Sequence, residues 1–217
     1  MHGRDLSLHI PDTALLFIDM QNYTANRQGG AYRGLDAAAF ETSNGYFFDR
    51  LERTALPKMC RIQSAFRKAG IEILYTTIES LTKDGRDRGL DYKSLGYNVA
   101  RGSWDGRVID ALRPEEDEIV LPKSASSVFI STNIDYILRN LGIRQLVICG
   151  METDDCVESA IRDAADLGYL VTQVTDACLT YSEARHRHSL EAIRGHCRQV
   201  TTEELLDEVA ADVGTWA

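Results

Sequence analysis

Short apolar runs alternate along the chain with longer segments in which apolar residues recur every three or four positions. The runs have the length of β-strands and the segments have the period of amphipathic helices, a pattern typical of β-α-β units. It predicts an α/β fold with a parallel sheet that helices cover on both faces. The predicted strands are Ala14–Ile18, Ile71–Ile78, Glu118–Leu121, Gln145–Cys149, Tyr169–Val174 and a weaker one at Cys197–Val200.

Four segments with helical period end at or just before a glycine, as expected for C-terminal helix caps. The segments are Leu51–Ala69, Thr132–Leu141, Val157–Leu167 and Glu183–Ile193, and the glycines are Gly70, Gly142, Gly168 and Gly195. Thr201, followed three residues later by Glu204, predicts a capping box at the start of a final helix. Residues 23–44 and 82–101 are predicted to be irregular, and loops of this length are usually functional or mobile.

Composition and charge narrow the class of protein. The 217 residues are 44% hydrophobic and 26% charged, which predicts one globular domain over residues 1–217. A net charge of −9 disfavours nucleic acid or an anionic membrane as partner. The apolar run before Asp19 is too short for a signal peptide or a membrane span, so we expect a cytoplasmic protein. Five cysteines without CxxC spacing predict reduced thiols, mostly in the core.

Three reactive side chains follow predicted strands. Asp19 comes directly after the first strand, Lys123 lies two residues beyond the third, and Cys156 lies six residues past Gly150, where a helix should begin. Ligands of open parallel sheets bind at the carboxyl ends of the strands, so these side chains are candidates for one active site. Each alone also fits a structural role, as a turn cap, a surface charge or a core thiol.

The expected ionisation of Cys156 is ambiguous. A helix N-terminus and a nearby lysine favour the thiolate, whereas Asp154 and Asp155 oppose it. His186 and His188 are two apart in a predicted helix, so they point to different faces and are expected to be surface residues rather than a metal pair. Dinucleotide, Walker and serine-elbow motifs do not occur in the sequence.

Three stretches together resemble the isochorismatase-like cysteine hydrolases. They are ALLFIDMQN, VLPKSASSVFISTNIDYILRNLGIRQLVICG and GMETDDCVESAIRDAADLGYLVTQVTDAC, which contain Asp19, Lys123 and Cys156 in the order of the family's catalytic triad. The resemblance implies a Rossmann-like, three-layer αβα fold with a six-stranded, mainly parallel sheet. It also implies homodimers or homotetramers, a cis peptide at Met151–Glu152, and an oxyanion hole formed by the amides of Glu152 and Cys156.

Departures from the branches of the family point to a substrate class. The Asp and two-His metal motif of nicotinamidases is missing after the second strand, so the expectation is an enzyme without metal or other cofactor. The cysteine distinguishes the chain from true isochorismatases, which cleave a vinyl ether. The resemblance therefore favours the branch that hydrolyses ureidoacrylate, biuret, triuret and N-carbamoyl compounds. Vinyl-ether hydrolysis and a non-catalytic partner-binding module are the alternatives, and a redox-sensing thiol is a further one.

The two long loops supply the candidates for substrate binding, because both follow the carboxyl end of a predicted strand. Glu79 could accept hydrogen bonds from substrate N–H groups, or could instead be a surface residue or an ion-pair partner. The predicted substrate-binding residues are Asn22, Tyr23, Glu79, Arg86, Tyr92 and Trp104.

Overall fold

Six strands form the central sheet of the computed structural model, which describes residues 6–213; the predicted domain extends beyond this range at both ends. In spatial order β3-β2-β1-β4-β5-β6, each neighbouring pair is parallel. This confirms the predicted sheet. The strands are β1 Thr13–Ile18, β2 Glu72–Ile78, β3 Ile119–Lys123, β4 Gln145–Met151, β5 Leu170–Leu179 and β6 Arg198–Val200.

Helices flank both faces of the sheet, which confirms the three-layer prediction. The helices are α1 Asn22–Ala25, α2 Ala37–Arg50, α3 Leu56–Lys68, α4 Leu90–Leu95, α5 Val128–Ser131, α6 Ile134–Asn140, α7 Glu158–Asp166, α8 Glu183–Ile193 and α9 Thr202–Val213. Single π-helical turns at Leu51–Ala55 and Thr153–Val157 precede α3 and α7. Short 3₁₀ turns lie at Ile10–Asp12, Gly30–Tyr32, Trp104–Gly106 and Asp110–Leu112. Helix α3 packs with α9 on one face, and α7 packs with α5 and α8 on the other.

The first predicted loop is partly wrong, because α2 begins at Ala37 and runs through the π-helical turn into α3. Asp36 caps α2 by accepting a 2.8 Å hydrogen bond from the Ala39 amide. The Asn44 side-chain amide donates to the Phe40 carbonyl within this helix at 3.2 Å. Burial of Phe47 and Phe48 on the same helix stabilises it through tertiary packing, which the local sequence does not show. The second loop, 82–101, contains the short helix α4.

Most predicted helix ends are confirmed. Gly70, Gly142 and Gly168 adopt left-handed φ angles of 68°, 76° and 94° beyond their helices. Gly195 does not, so the prediction of a glycine cap there is wrong. The capping box at Thr201 is present, since its amide donates to the Glu204 carboxylate at 2.7 Å.

Strands β1 and β4 lie side by side at the centre of the sheet. Strands β2 and β3 extend the sheet on one side of this pair, and β5 and β6 extend it on the other. At Gly150 a Cβ atom would lie 2.2 Å from the Ile18 carbonyl oxygen, and the φ angle of 128° is one that L-residues rarely adopt. Glycine therefore allows β4 to approach β1 closely where both strands end. No helix within residues 6–213 is long and apolar enough to cross a membrane. The five cysteines are thiols rather than disulfides, and all but the half-buried Cys60 are buried.

Candidate active site

Asp19, Lys123 and Cys156 meet at the carboxyl end of the sheet. Lys123 Nζ lies 2.8 Å from Asp19 Oδ2 and 3.2 Å from Cys156 Sγ, so the ammonium group bridges the other two side chains. All three are at least 96% buried. Asp19 and Cys156 follow the central strands β1 and β4, where the strand order reverses, and Lys123 reaches them from the last residue of β3.

The backbone and side chain of Asp19 are both fixed by Thr76 on β2. Asp19 has a positive φ of 53°, which is uncommon for a residue other than glycine and is best tolerated by Asp and Asn. Its amide donates to Thr76 Oγ1 at 3.1 Å, and the threonine hydroxyl donates back to Asp19 Oδ1 at 2.7 Å. Oδ2 is left to face Lys123 and has no further hydrogen-bonding partner within residues 6–213.

Two oxygen atoms complete the surroundings of the Lys123 ammonium group. Lys123 Nζ donates to Tyr92 Oη at 2.6 Å and to the Ala125 carbonyl at 3.0 Å. Burial lowers the pKa of Lys123, but the contacts with Asp19 and Cys156 raise it more, so the net pKa lies above the ordinary value. The raised pKa favours the charged ammonium form of the lysine.

Cys156 lies in the π-helical turn Thr153–Val157 that precedes α7. Burial raises the pKa of its thiol well above the usual range, and the charge of Lys123 offsets this only in part. Asp19 and Asp155 add to the rise. The resting side chain is thus a thiol, which has to lose its proton before it can act as a nucleophile.

The two aspartates before the cysteine have different environments. Asp154 faces away from the thiol, because its carboxylate accepts from Thr180 Oγ1 at 2.6 Å and from Arg185 Nε at 2.5 Å. Asp155 lies beside the cysteine, and burial raises the pKa of its carboxyl. The sequence predicted that both would oppose the thiolate, and the structure assigns the direct effect to Asp155.

The peptide bond between Met151 and Glu152 is cis, as the resemblance implied. The Glu152 side chain points to the same side as the triad and is only 13% exposed. Burial raises the pKa of Glu152 to about 7, the neighbouring Asp155 adds to the rise, and Arg185 opposes it from 3.5 Å.

A narrow cavity opens beside Asp19 and Cys156. Its volume is about 10 Å³, which is room for roughly one water molecule. Its walls are otherwise formed by the polar side chains Thr24, Tyr97, Glu152 and Asp155 and the apolar side chains Ile78 and Met151. Cys156 and Asp19 thus face this small space, and Lys123 contacts both of them from outside its wall.

Residues 13–204 match the isochorismatase domain. The chain belongs to the isochorismatase family. It is 33% identical over 189 residues to a ureidoacrylate amidohydrolase RutB of Azorhizobium caulinodans, covering 79% of this chain and 78% of that protein. It is 34% identical over 182 residues to the RutB of Serratia proteamaculans, covering 76% of this chain and 69% of that protein.

Solved structures share the fold of this family member. A cysteine hydrolase from Pseudomonas syringae superimposes with a TM-score of 0.80 at 24% identity, covering 95% of this chain and 96% of that one. An N-carbamoylsarcosine amidase from Thermoplasma acidophilum superimposes with a TM-score of 0.66 at 25% identity, covering 88% and 96%. The fold expected from the sequence resemblance is therefore confirmed.

Of the predicted substrate-binding residues, Tyr92 and Tyr23 lie nearest the triad. The Tyr92 hydroxyl contacts Lys123, lies 3.6 Å from Cys156 Sγ and donates to the Ala125 carbonyl at 3.0 Å. Tyr23 packs edge-on against Tyr97, with ring centroids 6.1 Å apart. Tyr92 thus contacts two members of the triad, Lys123 and Cys156. Tyr23 packs against Tyr97, whose side chain forms part of the cavity wall.

The structure does not place the other four candidates in the wall of this cavity. Asn22 and Trp104 line a separate groove of about 680 Å³. The Glu79 carboxylate accepts a 3.0 Å hydrogen bond from the Gly102 amide. Arg86 is exposed and pairs with Asp84 at 2.9 Å.

Several residues of the site were missed by the sequence analysis. No sequence motif marks Thr24, Thr76, Tyr97 or the side chain of Glu152. They come close to the triad only when the chain folds.

His186 was wrongly expected at the surface. It is buried, its Nδ1 is 2.9 Å from Thr153 Oγ1, and burial lowers its pKa to about 4. His188 is exposed, as predicted. Within residues 6–213, no group of three or more His, Cys, Asp or Glu side chains is arranged to hold a metal ion.

Proposed function

We propose that this protein is a cysteine amidohydrolase that cleaves a carbon–nitrogen bond of a small amide or ureido compound through a thioester intermediate. The observation that supports this most directly is the buried contact of Lys123 Nζ with both Asp19 and Cys156. The amidohydrolase names of relatives that align over most of the chain support the same reaction class.

In the first step, Asp19 takes the proton of the Cys156 thiol and the resulting thiolate attacks the substrate carbonyl. A base is required because burial keeps the thiol protonated at neutral pH. Lys123 neutralises the charge of Asp19 before the transfer and that of the thiolate after it, since its ammonium group contacts both side chains. The transfer therefore creates no uncompensated charge in the buried site.

The tetrahedral intermediate carries its negative charge on the former carbonyl oxygen. In the proposed mechanism the backbone amides of Glu152 and Cys156 donate hydrogen bonds to this oxyanion, a type of contact typically worth 10²- to 10³-fold in rate. Collapse of the intermediate breaks the carbon–nitrogen bond. Protonated Asp19 gives its proton to the departing nitrogen, which leaves as ammonia or an amine.

Hydrolysis of the thioester completes the cycle. Asp19, again a carboxylate, removes a proton from water as the water attacks the thioester carbonyl. The carbon–sulfur bond breaks, and the thiolate recovers the proton from Asp19. The small cavity beside the two side chains is large enough for such a water molecule.

Release of ammonia or amine products tests the proposal. We expect the wild-type protein to hydrolyse at least one compound among biuret, triuret, ureidoacrylate, N-carbamoyl amino acids and simple amides. Cys156→Ala should abolish turnover, and Asp19→Asn should lower kcat by about 10²- to 10⁴-fold, since it removes the proton acceptor.

Cys60→Ala is the matched control for the nucleophile, because Cys60 lies on α3, where its thiol donates to the Ala111 carbonyl, outside the cavity wall. This variant should retain wild-type activity. Turnover of a ureido compound that survives Cys156→Ala would refute the cysteine mechanism.

A further inference from the structure

The wall of the active-site cavity is rich in hydrogen-bond acceptors and carboxyl groups. Glu152 and Asp155 face the space beside Cys156, in addition to the catalytic candidate Asp19. Of the described residues that form this wall, none is a lysine, arginine or histidine. A substrate group that extends away from the scissile carbonyl therefore meets acceptors rather than cations.

Thr24 provides an independent sign that a ligand group binds here. Its side chain is 4% exposed and lines the cavity, and its Oγ1 atom has no hydrogen-bonding partner within residues 6–213. Burial of an unsatisfied hydroxyl costs free energy, so such groups in native proteins usually have a functional explanation. A hydrogen-bonding substrate group would remove that cost.

The cations closest to the cavity already have partners. Lys123 is enclosed by Asp19, Cys156, Tyr92 and the Ala125 carbonyl, and it is not part of the cavity wall. Arg185 lies behind Glu152 and forms its shorter contact, 2.5 Å, with Asp154.

Arg88, on the loop that also carries Tyr97, is engaged by its own loop. It donates from Nε to the Gly85 carbonyl at 2.8 Å, and Nη1 contacts the Tyr97 carbonyl. Arg88 is therefore held by its own loop, and it does not line the cavity.

We infer that the part of the substrate beyond the scissile carbonyl is an uncharged group with N–H donors, such as a second ureido or carboxamide group, held by Thr24 Oγ1 and the Glu152 carboxylate. This inference rests on the proposed amidohydrolase function and narrows its substrate class. It separates this chain from an enzyme that selects carboxylate-bearing ureido compounds. Two cations, Lys123 and Arg185, face four carboxyl groups, those of Asp19, Glu152, Asp154 and Asp155, so the surroundings of the cavity carry excess negative charge and disfavour an anionic substrate group.

A matched pair of substrates that differ only in this group tests the inference. 3-Ureidopropanamide and 3-ureidopropanoate have the same length and the same scissile bond, and differ by a carboxamide against a carboxylate. We expect kcat/KM at pH 8 to be at least tenfold higher for the amide. The 3-amino product, quantified by liquid chromatography and mass spectrometry, distinguishes ureido cleavage from hydrolysis of the terminal carboxamide.

Two variants test the assigned contacts. Thr24→Val keeps the shape and removes the hydroxyl, so KM for the amide should rise about 5- to 10-fold with kcat nearly unchanged. Glu152→Gln removes the carboxylate and keeps the backbone, so the preference for the amide should fall at least fivefold through a gain for the carboxylate substrate. Thr42→Val and Glu203→Gln are matched controls on the exposed faces of α2 and α9, and both should leave the preference unchanged.

The outcomes separate this inference from the proposed function. Equal rates, or a preference for 3-ureidopropanoate, would overturn the inference and leave the amidohydrolase proposal standing. If neither compound, nor any other ureido compound or simple amide, is hydrolysed, the proposed function fails. The inference is then decided by calorimetric binding of the same pair to Cys156→Ala: tighter binding of the amide supports it, and tighter binding of the carboxylate refutes it.

Discussion

Replacing Lys123 by methionine should destabilise the fold as well as abolish activity. Methionine retains much of the apolar volume of lysine but leaves the carboxylate of Asp19, which is 2% exposed, without its counter-ion. Removal of one partner of a buried ion pair typically costs about 3–5 kcal/mol. The Ala125 carbonyl keeps a donor, since Tyr92 Oη donates to it at 3.0 Å, so the uncompensated charge dominates the loss.

A second variant tests whether the uncompensated charge of Asp19 causes this loss of stability. Asp19→Asn preserves the accepting oxygen that Thr76 Oγ1 contacts, and asparagine tolerates the positive φ of this position. The double variant Asp19→Asn/Lys123→Met should therefore be more stable than Lys123→Met by about 2 kcal/mol, because it removes the uncompensated buried charge.

Urea unfolding, followed by circular dichroism, measures these differences. Lys58→Met is the control, because Lys58 pairs with Asp176 where both side chains are at least 20% exposed, and its loss should cost only about 1 kcal/mol. A loss below 1 kcal/mol for Lys123→Met would show that the buried carboxylate is compensated in another way. A double variant no more stable than the single one would lead to the same conclusion.

Three further predictions concern the β4 junction and the titration of the site. Gly150→Ala should cost at least about 3 kcal/mol in urea unfolding, against about 1–2 kcal/mol for Gly142→Ala, whose Cβ meets open space. Glu152 has a raised pKa of about 7, so the folded protein retains this proton where the unfolded chain has lost it, and wild-type stability falls as pH rises between 4.5 and 7. Glu152→Gln should accordingly gain up to about 3 kcal/mol over wild type at pH 8 and little at pH 4.5, and a pH-independent difference would contradict this. Because the pKa of Cys156 is raised, its alkylation by iodoacetamide should accelerate from pH 6 to 9, whereas a plateau below pH 8 would indicate a resting thiolate.

The positions of the triad could be predicted because they depend on strand ends. Asp19, Lys123 and Cys156 follow apolar runs that have to form a parallel sheet, and the carboxyl ends of such strands meet at one edge. The sequence shows a glycine at position 150, but only the structure explains why a side chain is excluded there: a Cβ atom would lie 2.2 Å from the Ile18 carbonyl oxygen.

The walls of the cavity could not be predicted for a physical reason. Thr24 lies on the four-residue helix α1 and Tyr97 on the irregular segment after α4, and the placement of both depends on packing between distant parts of the chain, such as the contact of Tyr23 with Tyr97. Residues 37–44 are a further case, because they were predicted to be irregular but form the first part of α2, whose aromatic side chains are buried. Local preference decides an element only where tertiary packing does not oppose it.

Several side chains of the site are unfavourable to bury in their ionised or unpaired form, and this is consistent with a catalytic role. Burial raises the pKa of Cys156, Glu152 and Asp155, so each ionised form is less stable in the folded protein than in water. The Thr24 hydroxyl adds an unsatisfied buried group within the described chain. None of these costs is required by the sheet, since an apolar residue would pack at each position without it. A substrate with N–H donors would relieve two of them together, at Thr24 and Glu152, and binding energy gained in this way would depend on the chemistry of the substrate rather than on its size.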